Sequence, residues 1–190
     1  MKSSSIHDIK AERGIICTLL SYPHFILNSE NLKASHFYDK KNGSMYWAIQ
    51  ELVKKGIDKI DSLSLITQLS SRNGTIKVMG GNNDAIEKEI QGFICDKKEF
   101  GRSTVEEYKL LANQVLANGF KRAMYEVMGK IQNKCLDVSN DDIGSLNIEI
   151  MDTINNLAID YITQENIDYF GRKVDTLWQN IESKRNPDGT

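Results

Sequence analysis

Ser103–Cys135, STVEEYKLLANQVLANGFKRAMYEVMGKIQNKC, decides the fold, because apolar residues recur through it at helical spacing from end to end. Val105, Tyr108, Ala112, Val115, Ala123, Val127 and Ile131 fall on or near one broad face. At the helical rise per residue, such a rod is roughly 45 Å long. Ser103 and Glu106 fit the S-x-x-E capping box that opens many helices. Beyond Cys135 a polar connector, Leu136–Asp142, leads into a second periodic run marked by Ile143, Leu146, Ile150, Ile154, Leu157 and Ala158. Two long helices with a short connector predict an antiparallel hairpin over 103–162. Leu110, Leu116, Phe120, Met124 and Met128 widen its stripe beyond what a two-helix seam buries. That surplus predicts self-association through the hairpin, with packing onto the preceding bundle as the alternative.

Upstream, the chain reads as short helices. Ile9, Ile15, Ile16, Leu19 and Leu20 line one face between Asp8 and Leu20, and Pro23 supplies a stop. Met45, Tyr46, Ile49, Leu52 and Val53 mark a second helix, with Asn42 as a candidate cap and Gly56 at the left-handed position beyond its end. Asp61 or Ser62 is placed to cap a third, carrying Leu63, Ile66 and Leu69 and ending at Arg72–Gly74. Gly74–Asn83 reads as a connection with at most a turn of structure, a short strand through Ile76 and Val78 being the alternative. The predicted fold is all-α: a compact bundle of short helices over 1–102, the long antiparallel hairpin over 103–162, and a separate linker helix within 163–190. In that last helix Phe170, Val174, Leu177, Trp178 and Ile181 form an apolar stripe that needs a partner.

Composition and motifs narrow the function. The formal charge is −2, from 24 Lys and Arg against 26 Asp and Glu, so nothing draws the chain as a whole to nucleic acid. No apolar run is long enough to span a bilayer, and the polar start lacks a signal-peptide core, which predicts a cytoplasmic protein. Cys17, Cys95 and Cys135 are widely spaced and read as reduced thiols. His7, His24 and His36 have no partners at metal-ligand spacing, so no metal site is expected. No stretch fits the P-loop pattern of a phosphate cradle, and no nucleophile sits in an elbow beside a base. No catalytic residue and no cofactor of this chain's own are expected. MGGNN and EFGRST read as turns or helix caps. The Glu106–Glu107 and Asp141–Asp142 pairs sit where helix starts favour negative charge.

Taken in order, AERGIICTLLSYPHFI and HFYDKKNGSMYWAIQELVKKGIDKIDSLSLITQL resemble the amino-terminal domain of DnaB-type replicative DNA helicases. The matching features are Ala11-Glu12, Phe37-Tyr38, Gly56 and Ile60-Asp61, followed by Gly80-Gly81, the hairpin opening at STVEEYKLLANQV, and DYFGRKVDTLWQNIESKRNPDGT, which is similar to the linker before the motor. The resemblance implies a collar domain that pairs through its hairpin into dimers and a hexameric ring around single-stranded DNA. It further implies contacts with primase and helicase loader, in a bacterium or in a phage acting within one. ATP and magnesium would belong to a RecA-like motor in the parent protein, and the Phe170–Ile181 stripe would dock on that motor. The chain departs from the family pattern after the glycine pair, where NNDAIEKE is polar, and in the charged segment Phe93–Arg102. A stand-alone, helicase-like regulator of replication is the second reading.

Overall fold

The computed structural model describes residues 6–29, 31–136 and 142–161. Seven α-helices and two 3₁₀ turns are formed among the described residues, and no strand. α1 (Ile9–Leu19) is the element the others surround. Asp8 caps it, its carboxylate accepting from the Ala11 N–H at 2.9 Å. Residues on all its faces are buried, from Ala11 and Glu12 to Thr18 and Leu19, so α1 is an enclosed helix and not an amphipathic one. Pro23 ends the run as predicted and starts a 3₁₀ turn, Pro23–Asn28; a second 3₁₀ turn covers Ala34–His36.

α2 (Lys40–Lys54) is capped by Asp39, which accepts from the Lys41 N–H. Asn42, the cap expected from sequence, lies inside the helix and is buried. Its amide donates to the Glu12 carboxylate at 3.1 Å, and Glu12 also accepts from the Tyr38 N–H at 2.6 Å and the Asp39 N–H at 3.1 Å. A carboxylate from α1 thus satisfies backbone donors at the entrance to α2, where the helix dipole favours negative charge. Gly56, with φ +78°, closes α2 as predicted: its own N–H donates to the Val53 carbonyl, and the Ile57 N–H reaches back to Leu52.

α3 (Ser62–Ser70) is capped by Asp61, which accepts from both the N–H and the hydroxyl of Ser64 at 2.7 Å. These hydrogen bonds hold the Asp61 carboxyl below its ordinary range. The first half of the connection expected over Gly74–Asn83 is instead helical, within α4 (Asn73–Val78). The Gly81 N–H donates to the Ile76 carbonyl at 2.8 Å, and Gly80 and Gly81 have φ of +118° and +94°. The paired glycines supply the left-handed exit that ends a helix, which excludes the strand reading. Asn82 then caps α5 (Asn83–Phe100), a long helix that the polar look of NNDAIEKE concealed. Ile86, Ile90 and Phe93 fill its buried face.

Two charges within Phe93–Arg102, Asp96 and Lys97, are used within the fold. Asp96 pairs with Arg13, whose guanidinium also lies 4.3 Å from the Phe93 ring centroid. Lys97 Nζ donates to the Leu20 carbonyl at 3.0 Å, and the Arg102 N–H donates to Thr18 Oγ1 at 2.9 Å. α5 is thereby tied along α1.

α6 (Val105–Cys135) follows, and its cap is Thr104 with Glu107, one residue beyond the expected Ser103–Glu106 box. Only its first half joins the core, through Tyr108, Ala112 and Val115. The hydroxyls of Tyr108 and Tyr46 meet at Ser29, with Ser29 Oγ 2.6 Å from Tyr108 Oη, and Tyr46 donates to the Leu32 carbonyl at 3.2 Å. Burial pushes both phenol pKa values up, so these groups stay neutral linkers between α2, α6 and the loop. α7 (Ile143–Tyr161) packs back along α6. The hairpin is antiparallel, as expected: Lys134 near the end of α6 pairs with Glu149 early in α7, while Phe120 in mid-α6 meets Tyr161 at the end of α7.

Candidate interaction surface

No group of His, Cys, Asp and Glu among the described residues is placed to hold a metal ion. Cys17 is buried and its thiol is pushed up to about 11 by desolvation, which removes thiolate reactivity; Cys95 and Cys135 are exposed and unbridged. Most of the exposed large apolar side chains among the described residues lie on the hairpin.

The base of the hairpin is fixed where α6 crosses the Ala34–His36 turn. Gly119 allows that crossing, since a Cβ there would stand 3.2 Å from both the Cβ and the carbonyl oxygen of His36. One turn later Arg122 donates to the His36 carbonyl at 2.5 Å and to the Ile6 carbonyl at 2.8 Å, and lies 5.6 Å from the Tyr38 ring centroid. Tyr161 stacks on His36 with centroids 4.5 Å apart and meets Phe120 edge-on at 5.5 Å. The end of α7 is thereby anchored to the bundle.

The five residues expected to form a self-association face are placed in different environments. Leu116 packs against the core, and Phe120 is engaged with Tyr161. Met124 is half-buried. Leu110 and Met128 are exposed, at 70% and 48%. Sequence reasoning missed a second apolar row, on α7. Leu146, Ile150, Ile154 and Leu157 supply the shielded face, while Ile148, Met151 and Ile159 are 64%, 51% and 76% exposed. The spacing of three and then eight residues keeps those three on one face of a helix. The signal was present in the sequence, because α7 carries more aliphatic residues than one seam requires. The stripe Phe170, Val174, Leu177, Trp178 and Ile181, expected to dock on a motor, lies outside the described residues.

No helix among the described residues is long and apolar enough to cross a membrane. Residues 4–88 match the family model "DnaB-like helicase N terminal domain". No curated protein matches the chain. Among solved structures, the N-terminal domain of DnaB helicase from Mycobacterium tuberculosis superposes with a TM-score of 0.62 at 18% identity, covering 79% of this chain and 97% of that one. The sequence match stops within α5, and the likeness of fold extends past it into the long helices. Residues 4–88 are therefore similar in sequence to the DnaB-like helicase N-terminal domain, and the chain shares the all-α fold of the solved domain.

Proposed function

We propose that this chain is the collar and linker of a hexameric replicative DNA helicase, pairing through its hairpin and presenting a platform to primase and loader. Unwinding, with its ATP and magnesium, would reside in a RecA-like motor carried elsewhere in the parent protein, and single-stranded DNA would meet the collar only through the assembled ring. The observation that carries this reading is the exposed row Ile148, Met151 and Ile159, with Leu110 and Met128 on α6. Large aliphatic side chains left in water along one helix face are the mark of a surface that another copy covers. In this arrangement the linker stripe Phe170, Val174, Leu177, Trp178 and Ile181 serves the adjacent motor.

A variant carrying Ile148→Asp and Ile159→Asp tests the placement of the interface. Each buried, unpaired carboxylate is expected to weaken association by on the order of 2–4 kcal/mol, so light scattering should report a dimer for the parent chain and a monomer for the variant. Both sites are exposed in the single chain, so helical content by circular dichroism should not change. A variant that remains as dimeric as the parent would place the contact elsewhere.

A further inference from the structure

A groove of about 410 Å³ opens between the Ala34–His36 turn, α2 and α4. Half-buried Trp47 lines it with Phe37, Tyr38 and Val78, and Lys40 and Arg72 add two cations. The Arg72 guanidinium stands 5.5 Å from the Trp47 ring centroid. Among the described residues no acidic one lines the groove, and no carboxylate forms an ion pair with Lys40 or Arg72. Apolar walls with two uncompensated cations select a ligand that joins carboxylates to aromatic or aliphatic side chains.

The chain itself supplies such a ligand, and supplies it close by. Beyond Tyr161 the sequence runs ITQENIDY, in which Glu165 and Asp168 flank Ile167 and precede Tyr169. Tyr161 stacks on His36, whose neighbours Ser35 and Phe37 both line the groove. Extended chain reaches roughly 13 Å from Tyr161 to Glu165 and about 26 Å to Tyr169, so the segment starts beside the site and has length enough to fill it. Tethering at this range gives an effective concentration on the order of millimolar, at which modest contacts suffice.

We propose that Glu165–Tyr169 docks into the groove of its own chain, with Glu165 and Asp168 on Lys40 and Arg72 and with Ile167 and Tyr169 against Trp47. On the collar-and-linker reading proposed above, docking sets the point at which the chain beyond Tyr169 leaves the bundle and keeps Phe170 onward available to the motor. The proposal stands whether or not the hairpin self-associates.

Trp47 is the reporter, because Trp178→Phe removes the only other tryptophan. In that background the full chain should show blue, acrylamide-shielded emission. Adding Glu165→Lys and Asp168→Lys should shift the emission to the red and raise the quenching constant, with circular dichroism unchanged. Further adding Lys40→Glu and Arg72→Glu, which restores opposite charges across the contact, should recover the shielding. Identical quenching in the parent and the tail variant would overturn the proposal and leave the groove to a ligand from outside the chain. Red-shifted emission that the charge exchange does not recover would overturn the pairing. Shielding that develops only as protein concentration rises would assign the groove to another copy's tail and overturn docking within one chain.

Discussion

Replacing Glu12 by leucine is expected to destabilise the chain by about 3–5 kcal/mol, because it strands three hydrogen-bond donors at once. The carboxylate is 1% exposed and accepts from the Tyr38 and Asp39 backbone and from the Asn42 amide. A leucine fills similar volume, so the loss reports the polar contacts and not a cavity. Glu12→Gln should fall between the two, since one amide oxygen can still accept while the amide nitrogen faces donors. Urea unfolding measures this as a lower midpoint at unchanged slope. A loss below about 1 kcal/mol would mean that α1 does not hold the start of α2 in the way described.

The second large effect is steric. At Gly43 a Cβ would lie 2.6 Å from the Ala34 carbonyl oxygen and 3.4 Å from Phe37 Cβ, and the first of these is backbone that cannot rotate away. Gly43→Val must therefore push α2 off the Ala34–His36 turn, at about 2–3 kcal/mol. Gly129→Ala in α6 is the matched contrast. Nothing lies within 4 Å of a Cβ there, so alanine should raise stability by about 0.5–1 kcal/mol through its better helix propensity. Thermal melting of the two variants should move in opposite directions.

These sites show what the sequence disclosed and what it hid. The hairpin was legible because its apolar repeat runs for many turns, and α1, α2 and α3 because each combines a repeat with a stop: Pro23, Gly56 and the polar Arg72–Gly74 stretch, which in the structure opens α4. α5 was not, since Ile86, Ile90 and Phe93 are three apolar residues among many charged ones, and their burial depends on what α1 and α3 present to them. The charges among them gave no sign of their partners, because Arg13 and the Leu20 carbonyl, which meet Asp96 and Lys97, lie about eighty positions earlier in the sequence. Asn42 reads as a cap for a similar reason, as its real partner is Glu12, thirty positions earlier in sequence. On the hairpin, periodicity gives the faces of each helix but not which face the bundle covers. Leu116 and Leu110 look equivalent in sequence, yet one packs on the core and the other is 70% exposed. The groove around Trp47 could not be read from spacing, because its walls come from two helices and a 3₁₀ turn.

The proposed function rests on association of the domain with its own copies along the hairpin. Sedimentation equilibrium of the whole chain over a wide range of concentration tests it without any substitution. The average mass should climb from the 21.6 kDa of a single chain toward that of a dimer, and the rise should be insensitive to salt because aliphatic residues supply the contact. A mass that stays at 21.6 kDa at every concentration would contradict the account.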